Sequence, residues 1–193
     1  MAQKAQDRGA AGIIALSFLG FFAIFSTTMS KSPVLPLFVK SLSGSSTVIG
    51  LISAISPLAG IIFSFPVGLL ADRMGKKRLL LVASFVFLLA PPLYLLVHNA
   101  FWLVPIRFFH GIATAILGPV ASAVIVSSYP DSKGEKLGLY SSATLIGRTL
   151  APLLGGLIIS LLDFRSVYAA AFVLCIPVLI LTLVLPRDKG TGG

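Results

Sequence analysis

The chain has 193 residues, of which 56% are hydrophobic and only 11% are charged, and its mean hydropathy is +1.01. A soluble domain carries about 25% charged residues, so this composition excludes an ordinary water-soluble enzyme and indicates a polytopic membrane protein. The net charge of +9 does not indicate nucleic-acid binding. The basic residues lie in short loops between apolar runs, where they set topology and contact anionic lipid headgroups.

Six apolar runs are long enough to cross a bilayer, which requires about 20 helical residues. We expect the fold class of an all-α membrane protein with six transmembrane helices, at 12–38, 48–71, 79–97, 101–127, 136–162 and 167–185. The loops between these runs are short, so consecutive helices are antiparallel. The first run has no convincing small-residue cleavage site, so we interpret it as a retained span rather than a signal peptide.

Basic residues divide unevenly between the two ends of the predicted helices. One end carries only Lys40 and Arg165. The other end carries Lys4, Arg8, Arg73, Lys76, Lys77, Arg78, Lys133, Lys136, Arg187 and Lys189. Lys and Arg accumulate on the cytoplasmic side of membranes. We therefore predict a multi-pass protein of the cell membrane, with a cytoplasmic N-terminus at 1–11, a transmembrane domain at 12–185 and a cytoplasmic tail at 186–193.

The most basic turn joins the second and third predicted helices and has the pattern G-x-x-x-D-R-x-G-K-K-R. It resembles the signature loop between helices 2 and 3 of the major facilitator superfamily of transporters. The resemblance implies that five residues of this turn form a conformational latch: Gly68, Asp72, Arg73, Gly75 and Arg78. The Asp72 carboxylate would meet the positive N-terminal end of a helix in the other half of the transporter. Lys76 and Lys77 are expected to serve mainly as topology signals.

Two further helices resemble the same superfamily. The fourth contains Arg107-Phe108-Phe109-His110-Gly111, which is similar to the family's R-x-x-x-G pattern. The fifth is similar to the antiporter motif of drug:proton exchangers, at Gly138, Gly147, Ala151, Pro152, Gly155 and Gly156, with alanine at 151 where the motif has glycine. Small residues spaced four apart in this helix make a smooth face for close helix packing, and lining a cavity is the alternative.

Members of this superfamily usually have twelve helices in two six-helix halves related by an axis along the membrane normal. The resemblance implies that the chain corresponds to the N-terminal half, itself built from 3+3 inverted repeats. A transport path then requires a second half in the same orientation. We expect a homodimer with an exact two-fold axis, and the alternatives are a heterodimer of two halves and a fragment of a twelve-helix protein.

Three cations lie inside predicted helices, where even a lenient scale puts the cost of a charge at about 2.5–3.5 kcal/mol. Arg148 lies about 18 Å into the fifth helix, and Arg107 and Lys31 lie about 10 Å below the outer face, at a rise of about 1.5 Å per residue. With their polar neighbours they give the predicted substrate-binding residues Lys31, Arg107, His110, Thr114, Thr144 and Arg148. The alternatives are snorkelling by the lysine, carbonyl bonding by the arginines, and hydrogen-bonded packing for the histidine.

The acidic residues all lie at helix ends or in loops: Asp7, Asp72, Asp131, Glu135, Asp163 and Asp188. Proton-coupled carriers usually place a titratable carboxylate in the pathway, so this pattern argues against drug:proton exchange and favours an anionic solute. His98, His110 and Cys175 do not form a metal-ligand or catalytic set. We expect no metal, no cofactor and no catalytic residues, with Cys175 as a packed thiol.

The sequence therefore predicts a transporter rather than an enzyme, which moves a small solute by alternating access as a homodimer of six-helix halves. The first and fourth helices would line the path, the second and fifth would form the interface between copies, and the third and sixth would face lipid. The alternatives are a non-transporting membrane subunit or truncated half that pairs with another transporter half, and a drug efflux antiporter.

Overall fold

The computed structural model describes residues 2–43 and 45–185, with side chains for 11–42 and 45–185. All of the regular secondary structure in this part of the chain is helical. The helices are α1 (Ala2–Lys31), α2 (Val34–Ser43), α3 (Ser46–Met74), α4 (Lys76–Leu95), α5 (Leu103–Ser128), α6 (Lys133–Leu161) and α7 (Phe164–Val184), with a short 3₁₀ turn at Ala100–Trp102. The predicted tail at 186–193, with Arg187 and Lys189, and the side chains of Lys4 and Arg8 lie outside the described residues.

Within the described residues, the six predicted membrane spans are confirmed. They are Ala11–Leu42, Ser46–Met74, Lys76–Leu95, Ala100–Ser128, Lys133–Leu161 and Phe164–Val184. The prediction of one continuous first helix at 12–38 was wrong, because this span consists of α1 and α2 with a break at Ser32 and Pro33. Proline has no backbone N–H to donate, and its ring clashes with the preceding turn. Pro36 lies in the first turn of α2, where the missing donor costs nothing.

The helices pack in a crossed arrangement of two three-span repeats. In the first repeat, α1 packs on α6 and α7 of the second repeat. In the second repeat, α5 packs on α3 and α4 of the first repeat. The first span of each repeat therefore packs on the second and third spans of the other repeat. The last equivalent helices, α4 and α7, pack on each other. This exchange of partners is the pattern expected of 3+3 inverted repeats.

Burial differs strongly between the spans. In the most apolar window of each helix, 17% of α3 and 17% of α6 is buried within the chain, against 44% of α4 and 33% of α7. The first span is 56% buried and lies at the centre of the bundle. Consequently α3 and α6 present the largest apolar faces that the rest of the chain leaves uncovered. By contrast, α4 and α7 each bury one side against the other and leave the opposite side exposed.

Small polar side chains hydrogen-bond across the central helix contacts. Ser26 Oγ donates to the Ala171 carbonyl at 3.0 Å and lies 3.1 Å from Cys175 Sγ. Ser84 Oγ lies 2.7 Å from Thr182 Oγ1, joining α4 to α7. Such bonds hold membrane helices together because no water competes for them. Cys175 is buried, as predicted for a packed thiol.

Candidate functional site

The small face of α6 lies directly against α1. A Cβ added at Gly147 would lie 2.9 Å from the Phe21 carbonyl oxygen, and one at Gly155 would lie 3.0 Å from the Met29 carbonyl oxygen. Ala151 between them is fully buried. These residues therefore allow close backbone approach between two helices, which is the packing interpretation of the motif.

The other residues of this motif have looser surroundings. Gly138 faces open space, and a Cβ at Gly156 would meet Pro33 only at 3.8 Å. Pro152 is half-buried within α6. The packing role of the motif thus rests on its central residues.

Arg107 is held against α3 by a second close helix contact. A Cβ added at Gly111, one turn further along α5, would lie 2.5 Å from the Ser56 carbonyl oxygen. This approach lets Arg107 Nε donate to the Ile52 carbonyl at 3.4 Å and Nη2 donate to the Ser53 carbonyl at 3.2 Å. Arg107 is 2% exposed. The guanidinium thus adopts the carbonyl-bonded alternative and does not lie on an open polar stripe.

His110 is a buried histidine between α1, α4 and α5. Its Nε2 lies 3.1 Å from Thr27 Oγ1, and its ring meets Phe87 edge-on with centroids 5.7 Å apart. Its Nδ1 is buried without a hydrogen-bond partner among the described residues. This geometry matches the packing alternative for His110. Thr27 and Phe87 did not stand out in the sequence, because neither is unusual in an apolar helix.

Lys31, Arg107 and Arg148 lie on three different helices, α1, α5 and α6. The charge of Lys31 interacts with the charges of Arg107 and Arg148. Lys31 is half-buried at the end of α1, and Arg148 is exposed on α6. Neither has a hydrogen bond or ion pair to another part of the chain that the structure describes. We call these three residues the cation cluster.

Two threonines predicted to contact a solute lie near this cluster in the sequence but bond within their own helices. Thr114 Oγ1 donates to the His110 carbonyl at 2.9 Å, and Thr144 Oγ1 donates to the Ser141 carbonyl at 2.9 Å. Both side chains are half-buried. Their hydroxyl oxygens still have lone pairs that can accept a hydrogen bond.

The carboxylates that the structure describes are all exposed and lie at the ends of helices or in the connections: Asp72, Asp131, Glu135 and Asp163. Glu135 forms an ion pair with Lys136 at 2.8 Å. Within residues 11–42 and 45–185, no group of acidic, histidine and cysteine side chains is arranged to hold a metal ion. The positive charge of the cation cluster is therefore not neutralised by a nearby carboxylate of the described chain.

The basic turn ties three helix ends together. Gly75 has φ 87°, a conformation that residues with a side chain rarely adopt, and it joins α3 to α4 without an intervening loop. Lys76 Nζ donates to Ser127 Oγ at 2.9 Å, at the end of α5. Lys77 Nζ donates to the carbonyls of Leu183, at 2.8 Å, and Leu185, at the end of α7. The expectation that the two lysines serve mainly topology was incomplete.

The predicted latch residues are placed differently from these lysines. Asp72, Arg73 and Arg78 are exposed, and Gly68 faces open space. Their side chains make no ion pair with the part of the chain that is described. The arrangement leaves the charges of the turn accessible to a partner outside the six helices.

The sequence and the arrangement of the six spans match known proteins. Residues 16–192 match the family model described as the Major Facilitator Superfamily. The multi-drug resistance efflux pump PmrA of Streptococcus pneumoniae is 32% identical over 158 residues, covering 78% of this chain and 39% of that protein. The quinolone resistance protein NorA of Staphylococcus aureus is 27% identical over 180 residues, covering 91% of this chain and 46% of that protein.

A solved structure shows the same fold. A POT family transporter, crystallised with a thioalcohol-conjugated peptide, superposes with a TM-score of 0.82 at 17% identity, covering 94% of this chain and 39% of that one. The chain thus spans less than half the length of the relatives that it matches. The match of the family model over nearly the whole sequence shows that the chain belongs to the major facilitator superfamily.

Proposed function

We propose that this chain forms one six-helix half of a transporter that moves a small solute across the cell membrane by alternating access. Family membership and the multi-pass fold support a transport function rather than an enzymatic one. The observation that carries the proposal furthest is the cation cluster. Lys31 and Arg148 lack hydrogen-bond and ion-pair partners within the described chain, and the charge of Lys31 interacts with those of Arg148 and the buried Arg107.

An anionic solute fits the electrostatics of this cluster. Cations inside a membrane protein are costly and usually pair with another group. Arg107 is paired with carbonyls of α3, whereas Lys31 and Arg148 have unused donors. A carboxylate or phosphate group on the solute would accept bonds from these donors. In this scheme Arg148 contacts the solute directly, and Arg107 contributes its charge and fixes α5 against α3.

The second half would cover the exposed faces of α3 and α6. Ile61 and Phe65 on α3 are 73% and 78% exposed, and Leu153 on α6 is 69% exposed. We propose that a second copy in the same orientation can supply this cover, as a homodimer. Asp72 of one copy would then lie near the N-terminal end of α6 in the other and form the latch of the outward-facing state.

The mass of the assembled protein tests the source of the second half. The chain has a mass of 20.3 kDa. In nanodiscs, particles of twice that protein mass would support the homodimer, and single chains at all concentrations would contradict it. Cofractionation with a different six-helix chain would contradict the homodimer, but it would still support the proposal that this chain is one half of a transporter.

Binding of a quinolone carboxylic acid and of its decarboxylated analogue tests the anionic-solute proposal. Arg148→Gln should weaken binding of the acid about tenfold, the effect of losing one charge-assisted bond, and should leave the unfolding midpoint unchanged because Arg148 is exposed. Lys40→Gln removes an exposed cation of α2 away from the cluster and serves as the matched control. Equal binding of both compounds, or equal loss in both variants, would contradict the proposal.

Drug efflux by proton exchange is a second candidate. The names of PmrA and NorA and the glycine motif of α6 favour it. An imposed proton gradient across proteoliposomes should then drive quinolone movement, and its collapse should stop that movement. Since the carboxylates of the described chain lie at helix ends, the proton-binding group would come from the second half. Uptake that ignores the gradient would support a uniporter of anions instead.

A further inference from the structure

One face of α1 is shared between α5 and α6. Thr27 Oγ1 lies 3.1 Å from His110 Nε2 on α5, and a Cβ added at Gly20 would lie 2.9 Å from Thr144 Cγ2 on α6. Gly20, Thr27 and Lys31 fall within about 40° of one another around the helix, at 3.6 residues per turn. Lys31 therefore belongs to the face of α1 that looks towards the groove between α5 and α6.

Arg148 reaches the same groove from α6. It lies one turn beyond Thr144, so it shares the side of α6 on which Thr144 meets α1. Arg148 is exposed and Lys31 is half-buried. Neither side chain has a hydrogen bond or an ion pair to the residues that the structure describes, whereas Arg107 bonds to carbonyls of α3. We call the surface bordered by Lys31, Thr27, Thr144 and Arg148 the charged groove.

The two cations of the charged groove lie at different depths. The contacts of the small face of α6 show that α1 and α6 run in the same direction. Arg148 follows Gly147, which meets α1 between Phe21 and Phe25. Lys31 lies about two turns beyond this level, or about 10 Å further along α1 at 1.5 Å per residue. Because side chains of parallel helices lean the same way, the charges are separated by about as much as the backbones.

This separation is too large for one small anionic group to bind both cations well. In a charge-assisted hydrogen bond the donor and acceptor lie about 2.7–2.9 Å apart. A carboxylate bonded to one cation would therefore leave the other without a partner. The carboxylates of the described chain lie at helix ends and in connections, so they do not supply that partner. A solute with an anionic group at each end would satisfy both cations.

We propose that the solute is an extended dianion of the α,ω-dicarboxylate class, with its two carboxylates about 10 Å apart. One carboxylate accepts from the Lys31 ammonium, and the other accepts from the Arg148 guanidinium. The body of the solute lies along α1 between these levels and passes the contact of Thr27 with His110. This inference rests on the proposed transport of an anionic solute and adds the number and spacing of its charges.

Equilibrium dialysis of suberate and of its monomethyl ester against the unmodified protein in nanodiscs tests the number of charges. The two ligands have the same carbon chain and differ by one anionic group. Suberate should bind about tenfold more tightly, the effect of one further charge-assisted bond. Succinate tests the spacing. It is too short to reach both cations and should bind no more tightly than its own monomethyl ester.

Variants identify the cations that bind the two ends. Lys31→Gln and Arg148→Gln should each remove the advantage of suberate over its ester, because either variant leaves one free cation in the charged groove. Both variants should still bind the ester, which uses the cation that remains. Lys40→Gln removes an exposed cation of α2 outside the groove and should keep the full advantage. A purely structural effect would weaken both ligands equally.

Three results would overturn the inference. The first is equal binding of suberate and its ester by the unmodified protein. The second is binding of succinate as tight as that of suberate. The third is an advantage of suberate that survives in both Lys31→Gln and Arg148→Gln. If the quinolone acid binds and suberate does not, only the dianion inference fails. If neither acid binds, the proposed transport of an anionic solute fails as well.

Discussion

Gly111→Ala should destabilise the protein strongly, because the new methyl group would enter the closest contact between α3 and α5. The Cβ would lie 2.5 Å from the Ser56 carbonyl oxygen and 2.9 Å from Ser56 Cα. Both are backbone atoms, so no side-chain rotation can relieve the overlap. Ordinary contact begins at 3.4 Å, and the helices would have to separate by 3.4 − 2.5 = 0.9 Å.

The same separation would break the bonds of Arg107. Its donation to the Ser53 carbonyl, at 3.2 Å, would lengthen beyond hydrogen-bonding distance and deprive the buried guanidinium of its α3 carbonyl acceptor. Overpacking costs about 1–3 kcal/mol, and losing hydrogen bonds to a buried charge costs about 1.5–3 kcal/mol. We therefore expect the free energy of unfolding to fall by about 2.5–6 kcal/mol.

Unfolding by sodium dodecyl sulfate in mixed micelles, followed by far-ultraviolet circular dichroism, measures this change. Gly118→Ala is the matched control, since it makes the same substitution two turns further along α5, where a Cβ meets nothing within 4 Å. It should be neutral or stabilise by about 0.5–1 kcal/mol through helix propensity. A Gly111→Ala midpoint equal to that of Gly118→Ala would refute the argument that this contact fixes Arg107.

Three further predictions concern other helix contacts and the basic turn. Gly147→Ala should lower the free energy of unfolding by about 1–3 kcal/mol, because the new methyl group would overlap the α1 backbone. Gly138→Ala is the control and should not lower it, because Gly138 faces open space. Equal unfolding midpoints of the two variants in the same detergent titration would argue against the packing role of the α6 motif. Lys77→Met should accelerate hydrogen exchange at the C-terminal end of α7, because two carbonyl bonds from the lysine are lost, and unchanged exchange there would contradict a tie between these helix ends. Asp72→Asn should shift the population towards the inward-open state, measured by electron–electron distances between spin labels on the two halves, and an unaltered distance distribution would exclude the latch.

The membrane spans and the family were predictable from the sequence because both are local properties. Each span is a continuous apolar run, and the signature turn is a contiguous motif. The break within the first span was missed, although Pro33 was visible, because proline can either kink a helix or end it. Only the surrounding packing decides between these outcomes.

The partners of the candidate site residues could not be predicted in the same way. The sequence placed Arg107 within a helix, but its acceptors are carbonyls of α3, and the approach of α3 depends on Gly111. The stack of Tyr94 on Tyr168 likewise joins helices distant in the chain. Helical periodicity identifies which side chains share one face of a helix. Which other helix packs against that face depends on the arrangement of the whole bundle.

The crossed packing of the two three-span repeats also constrains how the protein is made. The first span emerges from the ribosome long before α6 and α7, which cover it in the finished bundle. Until those helices are synthesised, the close-packing surface of α1 around Phe21 and Met29 has no partner within the nascent chain. The early spans must therefore wait in lipid or beside the insertion machinery, and the packing around α1 is completed only when α7 arrives.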